Sequence, residues 1–156
     1  MIRILLLTAF LVTALQAQPS NGYFFLAPGG VSCCGHTAMT LQIGGGGEAV
    51  LGKGVGIGAE LSALGTRSHF TDSVIGVFSP NGYYHFVHER DLKLDPFVTG
   101  GYTLYFRNGH ASLFNFGAGV NYWLQRSLGV RFEFRDHVQT DGSAVHSWGF
   151  RFGLVF

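Results

Sequence analysis

The chain has 156 residues, enough for one domain, of which 47% are hydrophobic, and its formal net charge is +1. Only 12% of the residues are charged, against about a quarter in an ordinary soluble domain, and there is no basic block, which excludes a phosphate-binding surface and a nucleic-acid partner. Gly occurs 24 times and Phe 15 times, a composition short of the polar skin that a soluble fold needs.

The first segment, MIRILLLTAFLVTALQA, carries one cation at Arg3, an apolar run from Ile4 to Leu15 and a small residue at Ala17. That layout predicts a secretory signal peptide over residues 1–17, cleaved to leave a domain of residues 18–156. The run is shorter than the ~20 apolar residues of a spanning helix, and no later run approaches that length.

From there on the pattern has period two, the signature of strands half covered on one face. A first strand lies near Asn21 to Pro28. In the second, Met39, Leu41 and Ile43 oppose Thr40, Gln42, Gly44, Gly46 and Glu48. Next, Val55, Ile57, Ala59, Leu61 and Ala63 oppose Gly56, Gly58, Glu60 and Ser62. A fourth strand near Ser73 to Phe86 contains Ser79-Pro-Asn-Gly82, which reads either as a turn or as a bulge at Pro80. A turn would leave two pieces shorter than the ~9–11 residues that cross a bilayer, so one strand with a bulge is expected.

The fifth strand, Asp95 to Arg107, sets Val98, Tyr102, Leu104 and Phe106 against Phe97, Thr99, Gly101, Thr103 and Tyr105. In the sixth, Phe114, Phe116, Ala118, Val120, Tyr122 and Leu124 oppose Asn115, Gly117, Gly119, Asn121 and Trp123. In the seventh, Leu128, Val130, Phe132 and Phe134 oppose Gly129, Arg131, Glu133 and Arg135. In the last, Trp148, Phe150, Phe152, Leu154 and Phe156 oppose Gly149, Arg151, Gly153 and Val155. Turn chemistry separates them, at Leu51 to Gly54, Glu89 to Asp95, Arg107 to His110, Leu124 to Ser127 and Gln139 to Ala144.

Eight strands make the smallest common closed membrane barrel, whose lumen just fits side chains. Filling it with Phe114, Phe116, Phe132, Phe134, Phe150 and Phe152 would overpack it. Glycines with a few long Arg and Glu would fit. The predicted fold class is therefore all-β: an eight-stranded antiparallel up-and-down transmembrane β-barrel after the signal peptide, with both ends of the domain in the periplasm. The aromatics face lipid, and Glu48, Glu60 and Glu133 pair with Arg131, Arg135 and Arg151 inside. Tyr23, Tyr84, Tyr102, Tyr122, Trp123 and Trp148 are expected to include the interfacial girdle.

From signal peptide to Phe156, the chain resembles the small OmpA-like or OmpX-like outer-membrane barrels. The resemblance implies an outer-membrane location, contact with outer-membrane lipids and lipopolysaccharide, and a C-terminal signal for the barrel-assembly machinery carried by Phe152, Leu154 and Phe156. A monomer without a cofactor is expected, with a mainly structural role in membrane integrity.

Other motifs are weaker. Gly47 to Gly54 nearly spells a phosphate loop, but Gly54 stands where Ser or Thr should hold magnesium. Cys33 and Cys34 are adjacent and poorly placed to bridge each other; a metal site with His36 would need further ligands, so a loop tip is expected. His85 and His88 with Glu89 read as rim residues. His146 with Ser147 and Asp141, or His137 with Asp136, would be pieces of a hydrolytic triad, but His146 and Ser147 point to opposite faces of a strand. No enzyme is expected. Two alternatives stay open: a lipid-modifying enzyme acting on lipid A, and a soluble lipocalin-like carrier with the aromatics inside.

Overall fold

The computed structural model describes residues 20–33, 35–66, 74–87, 93–107, 109–139 and 145–156. The expected signal peptide, Asp141, His88 and Glu89 lie outside these residues. The eight strands are β1 (Ser20–Cys33), β2 (His36–Gly52), β3 (Val55–Thr66), β4 (Ile75–His85), β5 (Leu94–Phe106), β6 (His110–Gln125), β7 (Leu128–Gln139) and β8 (Val145–Val155). Each pairs antiparallel with its neighbour in sequence, and β8 returns to β1, closing the barrel. Closure gives every strand two partners, so no edge is left to meet hydrocarbon.

The faces fall as the alternation predicts. Arg131, Glu133, Arg135 and Arg151 are buried inside, while Phe116, Phe132, Phe150 and Phe152 point outward and are about half exposed. The soluble carrier, which needs the reverse arrangement, does not match this barrel.

Several expectations are corrected. The first strand does not stop at Pro28 but runs to Cys33. It passes through Gly29, where a Cβ would lie 2.0 Å from the Trp148 carbonyl oxygen, so only glycine fits. Around Pro80 there is one strand but no bulge. Phe78↔Leu104 and Asn81↔Gly101 share one register, with no pairing between them. The missing N–H interrupts the ladder without adding a residue. Tyr23 is not a girdle residue: it is buried in the lumen, 1% exposed. Trp123 packs against the buried cluster of Tyr23, Phe25, Ala27 and Val155. Residue type suggested the interface for both, but strand parity puts them inside. The lumen therefore takes more aromatic bulk than its width suggested, with Phe25, Tyr83 and Phe97 also buried there.

The near-phosphate-loop Gly47 to Gly54 is the end of β2 and its hairpin to β3. Gly52, Lys53 and Gly54 all have positive φ, the backbone a tight strand reversal requires. At the opposite rim, Gly35 (φ 80°) sits in the short β1–β2 hairpin.

Candidate functional site

The inward carboxylates and guanidiniums meet at the centre of the lumen. Glu60 on β3 is the hub. Its Oε2 accepts from Arg135 Nη1 at 2.6 Å and its Oε1 from Arg151 Nη1 at 2.7 Å. Tyr23 Oη donates to Oε2 at 3.0 Å and Asn81 Nδ2 at 3.2 Å. Glu133 accepts from Arg135 Nε and, at 3.2 Å, from Arg131 Nε. Arg131 Nη1 reaches Glu48 at 3.4 Å. All six residues named in the sequence stand in one buried network.

Sequence reasoning missed the partners that complete it. Arg131 is sandwiched by aromatic rings, its guanidinium carbon 4.3 Å from the centroid of Tyr23 and 4.0 Å from that of Phe97, positions in which a cation gains from the ring quadrupole. His85, read as a rim residue, is the inward residue ending β4. Its Nδ1 lies 2.9 Å from the Asp95 carboxylate, and its Nε2 approaches Glu48 at 3.4 Å without hydrogen-bond geometry. Asn121 donates to Asp95 at 3.0 Å. Parity could have found His85, which shares a face with Ser79, Asn81 and Tyr83; residue type alone could not.

Above the hub, toward the rim opposite the chain's ends, a cavity of about 10 Å³ is lined by Gln42, Arg135, His137, Ser147 and Arg151 among others. It has about the size of one water molecule. At the hub itself Glu60, Arg135 and Arg151 are at most 2% exposed.

A second polar cluster lies on the outer face. Of the described carboxylates, Glu48, Glu60, Asp95 and Glu133 point inward, and Asp136 alone takes the outward parity of Phe132 and Phe134 on β7. It is nonetheless 9% exposed, and its Oδ1 is buried without a protein partner. Its Oδ2 lies 2.8 Å from Nδ1 of His146 on β8, whose side chain is 47% exposed. Ser147 points into the lumen, where its carbonyl faces His137 Nδ1 at 3.1 Å. The neighbouring Ser and His are thus split between the two faces, as alternation requires.

The sequence matches the family described as the outer membrane protein beta-barrel domain over residues 4–156. No curated protein matches it. Among solved structures, Neisserial surface protein A is similar with a TM-score of 0.71 at 11% identity, over 89% of this chain and 97% of that one. The N-terminal β-barrel domain of Pseudomonas aeruginosa OprF gives a TM-score of 0.61 at 16% identity, over 90% and 100%. The outer membrane enzyme PagL gives 0.51 at 12% identity, over 84% and 97%. At these identities the likeness is one of fold.

Proposed function

The chain belongs to the outer membrane protein β-barrel domain family and lies in the outer membrane, and from that premise we propose that it is a structural wall element whose lumen is closed by its own ion pairs. The observation that carries this reading is Glu60, which holds Arg135 of β7 and Arg151 of β8 across the lumen from β3. A charge hub that ties far walls together resists opening and, in this reading, closes the path for ions. Buried charges cost several kcal/mol each unless paired; here each of Glu48, Glu60 and Glu133 meets at least one guanidinium, while Nη2 of Arg131, Arg135 and Arg151 has no protein partner.

In this reading residues 1–17 are a signal peptide removed on export, and the ends of the domain face the periplasm. The outward aromatics meet outer-membrane lipids and lipopolysaccharide, and the protein works as a monomer. Phe152, Leu154 and Phe156 form the strand presented to the assembly machinery. Its support is local. Phe156 pairs with Gly22 through backbone hydrogen bonds of 2.7 and 2.9 Å, and its ring stands 5.7 Å from that of Phe24, so the last residue fastens the closing seam.

The test is gel mobility of residues 18–156 refolded in detergent, boiled and unboiled in SDS. The expected result is a faster, compact band in the unboiled sample that boiling abolishes. A mature chain that is soluble without detergent and shows no shift would sink the reading.

A further inference from the structure

An acid on the lipid-facing side of a barrel is costly and calls for a functional explanation, and Asp136 has neighbours that supply one. Its contact with Nδ1 of His146 fixes the tautomer carrying hydrogen on Nδ1 and leaves Nε2 as a free base. On the other side of β8, Ser32 of β1 stands directly opposite His146 in the ladder, a spacing of about 4.5–5.5 Å between Cα atoms. Ser32 shares the outward face. Its Oγ lies 2.9 Å from Oγ1 of Thr37, and the Thr37 methyl and the Trp148 ring each lie 3.2 Å from where a Cβ on Gly30 would be. The three strands that meet at the barrel seam thus bring together a serine, a histidine and an aspartate.

Below them the same seam is apolar. A shallow groove of about 540 Å³ runs between Phe24 and Leu26 of β1, Ile43 of β2, and Phe152 and Leu154 of β8, with Gly44 and Gly153 in its floor. From Leu26 to Ser32 the strand climbs ~20 Å, which at a tilt of ~40° is ~15 Å along the membrane normal, the depth of one hydrocarbon leaflet. An acyl chain lying in the groove would bring its ester to the height of Ser32 and His146.

We infer that Ser32, His146 and Asp136 form an esterase site on the outer face of the barrel, acting on long-chain acyl esters of lipids in the surrounding leaflet. This rests on the membrane-barrel reading above and adds a reaction to it. Rotation about χ1 exchanges the Thr37 contact of Ser32 for His146. Ser32 Oγ then attacks the ester carbonyl carbon as His146 Nε2 takes its proton, while Asp136 steadies the imidazolium. The bond from carbon to the lipid alcohol breaks, and that oxygen leaves with the proton from Nε2. Water attacks the resulting acyl-serine, again giving its proton to Nε2. The proton returns to Oγ as the fatty acid departs. The sequence concealed this set because its members come from three strands and meet only through the register.

The test uses residues 18–156 refolded in detergent and verified by the heat-dependent band shift. It measures hydrolysis of p-nitrophenyl laurate, fatty-acid release from phosphatidylethanolamine vesicles and from lipopolysaccharide, and labelling by a fluorophosphonate located by mass spectrometry. Expected are hydrolysis, an adduct on Ser32, and losses of roughly 100-fold or more for Ser32→Ala and His146→Ala and roughly 10-fold for Asp136→Asn. Ser147→Ala, in the lumen, keeps the activity. The two lipid arms decide which ester is the substrate. A wild-type protein that shows the band shift but neither hydrolyses any ester nor takes the label overturns the site and leaves the barrel. Loss of the band shift itself overturns the barrel and the site with it.

Discussion

Glu60 accepts hydrogen bonds from two guanidiniums, two phenols and an amide, so its loss is unlike that of a surface acid. Glu60→Gln keeps the volume but removes the charge that compensates Arg135 and Arg151, leaving guanidiniums that are at most 2% exposed short of an anion. Breaking a buried pair in this way costs roughly 3–5 kcal/mol. Asn21, which donates to Glu48 at 3.3 Å in a part-buried position, should cost no more than about 1 kcal/mol when changed to Ala. Urea titrations in detergent, read by the heat-dependent band or by tryptophan fluorescence, would compare the two. Equal costs would mean that the lumen charges are solvated and not a network. At this scale the sequence was legible where charge and parity agreed, as at Arg131 and Glu133. It was not legible where chemistry and parity disagreed. Tyr23 and Trp123 look like girdle residues by type, yet they sit on the inward parity, and there the position outweighs the type.

Among elements, β2 shows how glycine sets the barrel's shape. Four consecutive glycines, Gly44 to Gly47, pass between β1 and β3. A Cβ on Gly46 would lie 2.7 Å from both the Tyr23 hydroxyl oxygen and the Ala59 carbonyl oxygen, whereas one on Gly47 would find only the Asn21 carbonyl, at 3.6 Å. Gly46→Ala must therefore displace the tyrosine that donates to Glu60, at a cost of about 1–3 kcal/mol, while Gly47→Ala should be within about 0.5 kcal/mol of the parent. The same titration measures both, and a harmless Gly46→Ala would show that Tyr23 does not sit against this strand. Period two revealed all eight elements, since β7 and β8 alternate without interruption. Prolines blurred the ends and middles. Pro28 and Pro80 both face outward where a ladder skips its pairing while keeping register. A proline read from sequence signals a stop or a bulge, because the sequence does not reveal that its missing N–H falls at a gap. Nor could the contact between Asp136 and His146 be foreseen. It depends on how β7 and β8 are staggered, which the intervening turn residues do not announce.

For the molecule as a whole, the distribution of polarity is inverted relative to a soluble protein. Its buried set includes Glu48, Glu60, Glu133 and three arginines, and its exposed set includes Phe24, Ile57, Leu61, Phe114 and Phe150. Hydrocarbon outside provides no hydrophobic gain from packing the strands together. Specificity of closure then rests on backbone pairing around the ring and on the charges that bridge it. Arg131 matters for both strength and tightness. It joins Glu48 of β2 to Glu133 of β7, and it is stacked between Tyr23 of β1 and Phe97 of β5. Removing the side chain takes a bulky plug out of the half of the lumen nearer the chain's ends and leaves two carboxylates underpaired. In planar bilayers the parent protein should show no resolved conductance steps, whereas Arg131→Ala should leak and unfold at lower urea concentration. A lumen that already conducts in the parent, or an Arg131→Ala protein as tight and as stable as the parent, would remove the basis for a closed ionic core. Between those outcomes lies an informative one. If Arg131→Ala loses stability without leaking, the hub around Glu60 suffices as the seal, and the stacked arginine serves to hold β1 and β5 against β7.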